Sequence, residues 1–182
     1  MSRFAIPASI DAAPSAAQPM LEAVKKQLGV VPNLFRLVAS SPAALEGYLG
    51  LNAALGKTLD VRTRERIAVA VAELNGCDYC LSAHTYLGKN VARLDDAELN
   101  RNRDGTSSDP KAAAAVRFAG QVVRERGHVS DGELKAVKAA GYSEAEVLEI
   151  VLHVALNTLT NYVNEVAKTE IDFPVISARK TK

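Results

Sequence analysis

The chain has 182 residues, 48% hydrophobic and 24% charged, a length and balance that suit one ordinary core and exclude global disorder or a disulfide-dependent scaffold. Its 22 Lys plus Arg stand against 21 Asp plus Glu, so no whole-protein field exists to gather phosphates, and no nucleic-acid partner is expected. No apolar run reaches the roughly 20 residues that span a bilayer, and residues 1–18 lack the apolar stretch of a secretory leader, so the expectation is a cytoplasmic protein with no membrane contact.

Prolines 7, 14, 19, 32 and 42 crowd the N-terminal quarter, and after them only Pro110 and Pro174 interrupt the chain. Residues 1–16 therefore read as an extended segment that wraps the body or frays, while 43–109 and 111–173 are free to be helical. Alternation of apolar and polar residues is nowhere sustained for the length of a strand, and the fold class is all-α. Ser41-Pro42, Asp60, Asp95 with Glu98, Asp109-Pro110, Ser130 with Glu133 and Ser143 with Glu146 have the pattern of helix N-caps. Gly29, Gly56, Gly88, Gly105, Gly127 and Gly141 fall where helices should stop. Together these signals predict helices at about 17–28, 32–39, 42–56, 60–75, 77–88, 95–102, 110–126, 131–140 and 144–168. The polar segment Leu99 to Ser108 reads as a connection free to move. In the last helix, Val147 to Leu156 is apolar on nearly every side, which suits a central helix or a subunit interface. Pro174 to Lys182 reads as a second extended end, with Arg179-Lys180-Thr181-Lys182 solvated.

The residue types that carry chemistry gather between Arg62 and His84. Asn75-Gly76 breaks a helical pattern, so a helix resuming at Cys77 places that thiol beside unpaired N–H groups that favour a thiolate. Spacings of three and four then bring Cys77, Cys80 and His84 onto one face. Sulfurs one turn apart can form a reversible disulfide, and His84 can exchange a proton with Cys80 directly or through water. The helix start favours Cys77 as the nucleophile and the histidine favours Cys80. The same residues admit plainer readings. The cysteines suit a buried apolar pair, or part of a zinc site whose remaining ligand no second Cys-x-x-Cys or His pair supplies. Glu65, among arginines, has the look of an ion-paired surface group, and Glu73 is a competing carboxylate that can pair with an arginine. His153 reads as a hydrogen-bonded core residue, His128 as a helix C-terminal decoration, and Asn157, Asn161 and Tyr162 as a polar stripe serving a buried interface.

Taken together, Glu65, the eleven residues after it, Cys77-x-x-Cys80 and His84 resemble the active-site signature of the alkylhydroperoxidase D-like group within the carboxymuconolactone decarboxylase family. Likeness to the family's core runs over about 45–92, and Asn157, Asn161 and Asp172-Phe173-Pro174 resemble the close of its peroxidase-related members. The resemblance implies a compact multi-helix domain over 1–182, assembled as a dimer to hexamer, that reduces a small organic hydroperoxide with no cofactor and no metal. It further implies that Cys80 attacks the peroxide, that Cys77 resolves the sulfenic acid into a disulfide, and that Glu65 and His84 relay the proton. An external dithiol reductant would close the cycle. Tyr79 stands where the best-studied enzymes carry a relay histidine; a phenol can orient or pass a proton but is a poor base near neutral pH. Two rival readings share these residues: a carboxymuconolactone decarboxylase-like lyase, which does not need the dithiol, and a non-catalytic redox-sensing oligomer whose helix packing changes with the dithiol.

Overall fold

A computed structural model describes residues 2–179, and all regular structure among them is helical. A 3-10 turn, Ser15–Ala17, leads into α1 (Gln18–Leu28), α2 (Asn33–Val38), α3 (Pro42–Leu55), α4 (Val61–Leu74), α5 (Asp78–Asn90), α6 (Asp96–Arg103), α7 (Pro110–Arg124), α8 (Asp131–Ala139) and α9 (Glu144–Ala167). The side chains of Ser41, Asp60, Asp95, Asp109, Ser130 and Ser143 all accept hydrogen bonds from first-turn N–H groups, each contributing about 1 kcal/mol. Ser130/Glu133 and Ser143/Glu146 form reciprocal capping boxes. Glu98 departs from that pattern. Its carboxylate turns inward, accepting from Arg66 Nε at 2.7 Å and Ser108 N at 2.8 Å and also bonding Ser107. With Asn102 Nδ2 donating to the Thr106 carbonyl at 3.0 Å, the connection expected to move freely is tied down on both sides.

Gly88 does not stop α5, which continues to Asn90. A Cβ at that position would sit 2.8 Å from Leu99 Cδ2, so the glycine serves the close approach of α6.

The central element is α4, in which Ile67 to Ala72 is buried without interruption. Its alanines let neighbours approach closely, and it packs against α5, α6, α7 and α9. Ile67 and Val71 meet Ala115, Phe118, Ile150 and Val154 on one side. Val69 and Ala72 meet Cys77, Tyr79, Cys80, Leu81 and Leu99 on the other. Each fully buried aliphatic side chain contributes about 1.5–3 kcal/mol. For the last helix, expected to be either a central helix or a subunit interface, the central reading is met in part: α9 buries Val147, Ile150, Val154 and Leu156 but exposes Leu148, Leu152, Leu159, Tyr162 and Val166 along its outer face.

Both ends wrap the body. Ala13 and Ala17 are buried with Leu21 and Leu45. The segment after α9 runs back over α5, where Ile176 N donates to Ser82 Oγ at 2.9 Å and Ala178 N to Asp78 Oδ1 at 2.8 Å. Arg179 is exposed as expected, while its backbone N–H donates to Glu73 at 2.7 Å and its guanidinium pairs with Asp104 at the surface; Lys180, Thr181 and Lys182 lie outside the described residues.

Candidate functional site

The break between α4 and α5 builds the site. Gly76 takes a left-handed φ of 68°, a conformation that costs glycine nothing, and Cys77 N then bonds back to the Ala72 carbonyl at 3.0 Å. The turn leaves Cys77 at the N-cap of α5, its Sγ accepting from Cys80 N at 3.4 Å. Cys80 follows one turn later. Both thiols are free, with Cys77 0% and Cys80 2% exposed.

Glu65 and His84 meet beside them. His84 Nδ1 donates to Glu65 Oε2 at 2.9 Å, with the imidazole side chain 23% exposed and the carboxylate 15%. The surface reading of Glu65 is thus not what the structure shows; α5 folds back along α4 and brings His84 onto it. Burial works against a charged imidazole, but the Glu65 charge, its hydrogen bond and the neighbouring Cys80 raise the pKa of His84 above its usual value.

The two thiols are pulled apart in acidity by the proton they share. A hydrogen bond from the Cys77 thiol, the charge on His84 and the amides of Asn161 and Asn164 outweigh burial and lower Cys80 to about 6. That same hydrogen bond to Cys80, followed by burial, pushes Cys77 well above the thiol range. In the geometry itself, Cys80 Sγ accepts from the Asn164 side chain while Cys77 Sγ accepts from the Cys80 backbone N–H.

From α9, Asn164 Nδ2 donates to Cys80 Sγ at 3.2 Å, and Thr160 Oγ1 lies 3.9 Å from the same sulfur. Asn161, 0% exposed, has its Oδ1 held by Asn75 Nδ2 at 2.8 Å. Its Nδ2 and the Oδ1 of Asn164 are buried without a hydrogen-bond partner, and leaving such a group unpaired costs about 1–3 kcal/mol. Asn157 and Asn161, read from sequence as interface residues, are buried within this chain, whereas Tyr162 points outward. Asn164 was not singled out by sequence; the signal available was polar residues at 157, 160, 161 and 164, a helical stripe within an apolar helix. Tyr48 of α3, also not singled out, packs on the cysteine cluster with its ring 5.5 Å from that of Phe35. Burial, then the charges on Cys80 and Glu65, raise the pKa of its hydroxyl above the usual phenol range.

Tyr79 goes elsewhere. Its hydroxyl donates to Asp172 Oδ1 at 2.8 Å and accepts from Leu34 N at 3.0 Å, and its ring meets Phe173 edge-on at 5.9 Å. Burial foremost keeps the phenol protonated, and the structure brings it to neither Glu65 nor His84 by a hydrogen bond. Glu73 is engaged by Arg103 Nε at 2.6 Å and Arg179 N at 2.7 Å. His153 is buried 3.4 Å from Thr58 Oγ1, pushed down to about 4 by burial, and exposed His128 follows α7. Among the described residues, no three His, Cys, Asp or Glu side chains gather in a metal-holding arrangement. An open cleft of about 880 Å³ lies apart from the thiols, lined by Asp60, Arg62, Lys111, Tyr142 and Glu146 among others. Among the described residues, no helix is long and apolar enough to cross a membrane.

Residues 42–121, from α3 into α7, match the carboxymuconolactone decarboxylase family. An uncharacterised protein of Haemophilus influenzae is 43% identical over 63 residues, which are 34% of this chain and 50% of that protein, so the match spans half the length of that curated relative. In three dimensions the chain is similar to the alkylhydroperoxidase AhpD core of an uncharacterised peroxidase-related protein from Ralstonia eutropha JMP134, with a TM-score of 0.83 and 22% identity, covering 94% of this chain and 92% of that one. A peroxidase-related protein from Silicibacter sp. TM1040 gives 0.80 and 21%, covering 93% and 91%. The debrominase Bmp8 in complex with 2,3,4-tribromopyrrole gives 0.79 and 20%, covering 94% of both chains. At these identities the likeness establishes a shared all-helical fold.

Proposed function

We propose that this chain, a member of the carboxymuconolactone decarboxylase family through its residues 42–121, is a thiol-dependent peroxidase acting on small organic hydroperoxides. The observation that carries the reading is a pair of contacts on the helix that bears both Cys80 and His84, Glu65–His84 at 2.9 Å and Asn164–Cys80 at 3.2 Å. This is the apparatus of an activated cysteine: a histidine positioned by a carboxylate, and a donor on the thiolate.

In the first step the Cys80 thiolate attacks the terminal peroxide oxygen, the O–O bond breaks, and the alkoxide leaves with the proton of the His84 imidazolium. Cys80 is oxidised to a sulfenic acid while the hydroperoxide is reduced to an alcohol. The Cys77 sulfur then displaces water from the sulfenic acid, forming the Cys77–Cys80 disulfide. An external dithiol reduces that bond and is itself oxidised to a disulfide. Glu65, bonded to Nδ1, leaves Nε2 of His84 as the nitrogen for proton exchange.

We read residues 1–182 as one alkylhydroperoxidase D-like domain working in a reducing cytoplasm. The exposed apolar stripe Leu148, Leu152, Leu159 and Val166 supports assembly into a homo-oligomer. The intact dithiol speaks against the lyase, which has no need of it. Steady-state turnover of an alkyl hydroperoxide tests the mechanism: Cys80→Ser should abolish it, whereas Cys77→Ser should consume one equivalent and stall. Normal turnover by both variants would refute it.

A further inference from the structure

The buried amides of α9 present more hydrogen-bonding capacity around Cys80 than the reduced sulfur uses. Asn164 spends its nitrogen on Sγ at 3.2 Å, yet its Oδ1 has no partner. Asn161 lies one turn earlier on the same helix and is 0% exposed. Asn75 Nδ2, at the end of α4, holds the Asn161 oxygen at 2.8 Å and thereby fixes which way the amide faces. The nitrogen so aimed, Nδ2, is buried beside Cys80, whose ionised form it favours, but it completes no hydrogen bond of full geometry.

One orphan donor and one orphan acceptor beside a single sulfur are complementary to a group that accepts and donates at one atom, which is the property of a hydroxyl. Resting on the peroxidase reading above, we propose that Asn161 and Asn164 form a hydroxyl-binding subsite that holds the terminal O–H of the hydroperoxide and, after transfer, the same oxygen as the sulfenic acid on Cys80. Asn161 Nδ2 donates to the oxygen; Asn164 Oδ1 accepts its proton. Asn161 and Asn164 are then catalytic residues, because they touch the reacting oxygen and sulfur, and Asn75 is a positioning residue acting through Asn161. The subsite adds nothing to the electron balance. The oxygen passes from peroxide to sulfur, the two electrons of the Cys80 thiolate reduce the O–O bond, and the alkoxide leaves protonated.

The subsite predicts a split between two electrophiles. Iodoacetamide reads the thiolate alone, whereas tert-butyl hydroperoxide reads the thiolate together with the handling of oxygen. In a Cys77→Ser background, at a pH where Cys80 is fully ionised, Asn161→Leu should slow sulfenic acid formation about tenfold or more. Its alkylation should change by less than about threefold. Asn75→Ala should shift the ratio of the two rates in the same direction by about threefold, since the freed amide still samples the donating orientation. If Asn161→Leu fails to fold, Asn75→Ala at this half-buried position decides. A purely structural role would slow both reactions together, and an amide satisfied by water would slow neither; either result, with the ratio unchanged, overturns the subsite. A Cys77→Ser parent that alkylates normally yet ignores hydroperoxide overturns the peroxidase reading and the subsite with it.

Discussion

His84 Nδ1 donates a hydrogen bond to Glu65 Oε2 at 2.9 Å, joining α5 to α4 across the turn that holds the two thiols. That contact sets the proton affinity of the site. Burial opposes a charged His84, but Glu65 and Cys80 raise it above its ordinary value, and the Cys77 hydrogen bond, the histidine charge and the α9 amides lower Cys80 to about 6, so each shift favours the imidazolium–thiolate form of the pair.

The sign of the pH dependence follows. Reaction with hydroperoxide should rise as pH passes about 6 and Cys80 loses its proton, then fall above the ordinary imidazole range as His84 loses the proton it must deliver. Glu65→Gln removes the charge that holds His84 protonated, so the falling limb should move to lower pH and the rate at neutral pH drop about tenfold. Stopped-flow rates from pH 5 to 9 check this; superimposable profiles would contradict the relay.

Tyr79→Phe should separate bracing from catalysis. The phenol fastens α5 to Asp172 and Leu34, so its loss should lower stability by about 1–2 kcal/mol. The single-turnover rate of Cys80 with hydroperoxide should stay within about threefold. Urea unfolding and rapid kinetics on the same variant read the two effects, and a rate loss of about a hundredfold would restore the tyrosine to the relay.

Glu98→Gln tests the buried ion pair. Burial pushes the Glu98 carboxyl up, but Ser107, Ser108 and Asn102 hold it far below the carboxylate range, with Arg66 Nε at 2.7 Å. Removing the charge should cost about 3 kcal/mol near neutral pH. Because folding lowers this pKa, the stabilisation is complete above the unfolded value of about 4.3 and is lost as pH falls below it. The difference between parent and variant should therefore narrow in acid, and a constant difference in denaturation midpoints would contradict the assignment.

The helices were legible because their ends carry local chemistry: Asp60, Ser130 and Ser143 cap where the sequence places them. Gly88 and Glu98 misled because their roles depend on partners distant in sequence, Leu99 for one and Arg66 for the other. The motif Cys77, Cys80 and His84 was visible as spacing on one helix. Asn164 was not, and Asn161 was legible only as part of a polar stripe, since α9 reaches Cys80 through tertiary packing 84 residues along the chain from the sulfur to Asn164. Tyr79 likewise reads as a relay residue by position alone, and only Asp172 and Leu34 reveal where its hydroxyl goes.

The most direct test of the dithiol cycle is the intact mass of reduced, oxygen-free protein quenched within seconds of adding one equivalent of an alkyl hydroperoxide, measured with and without thiol alkylation. The account predicts rapid loss of two hydrogens together with both alkylation sites, the signature of a Cys77–Cys80 disulfide. Unchanged mass with both thiols still open to alkylation would contradict it.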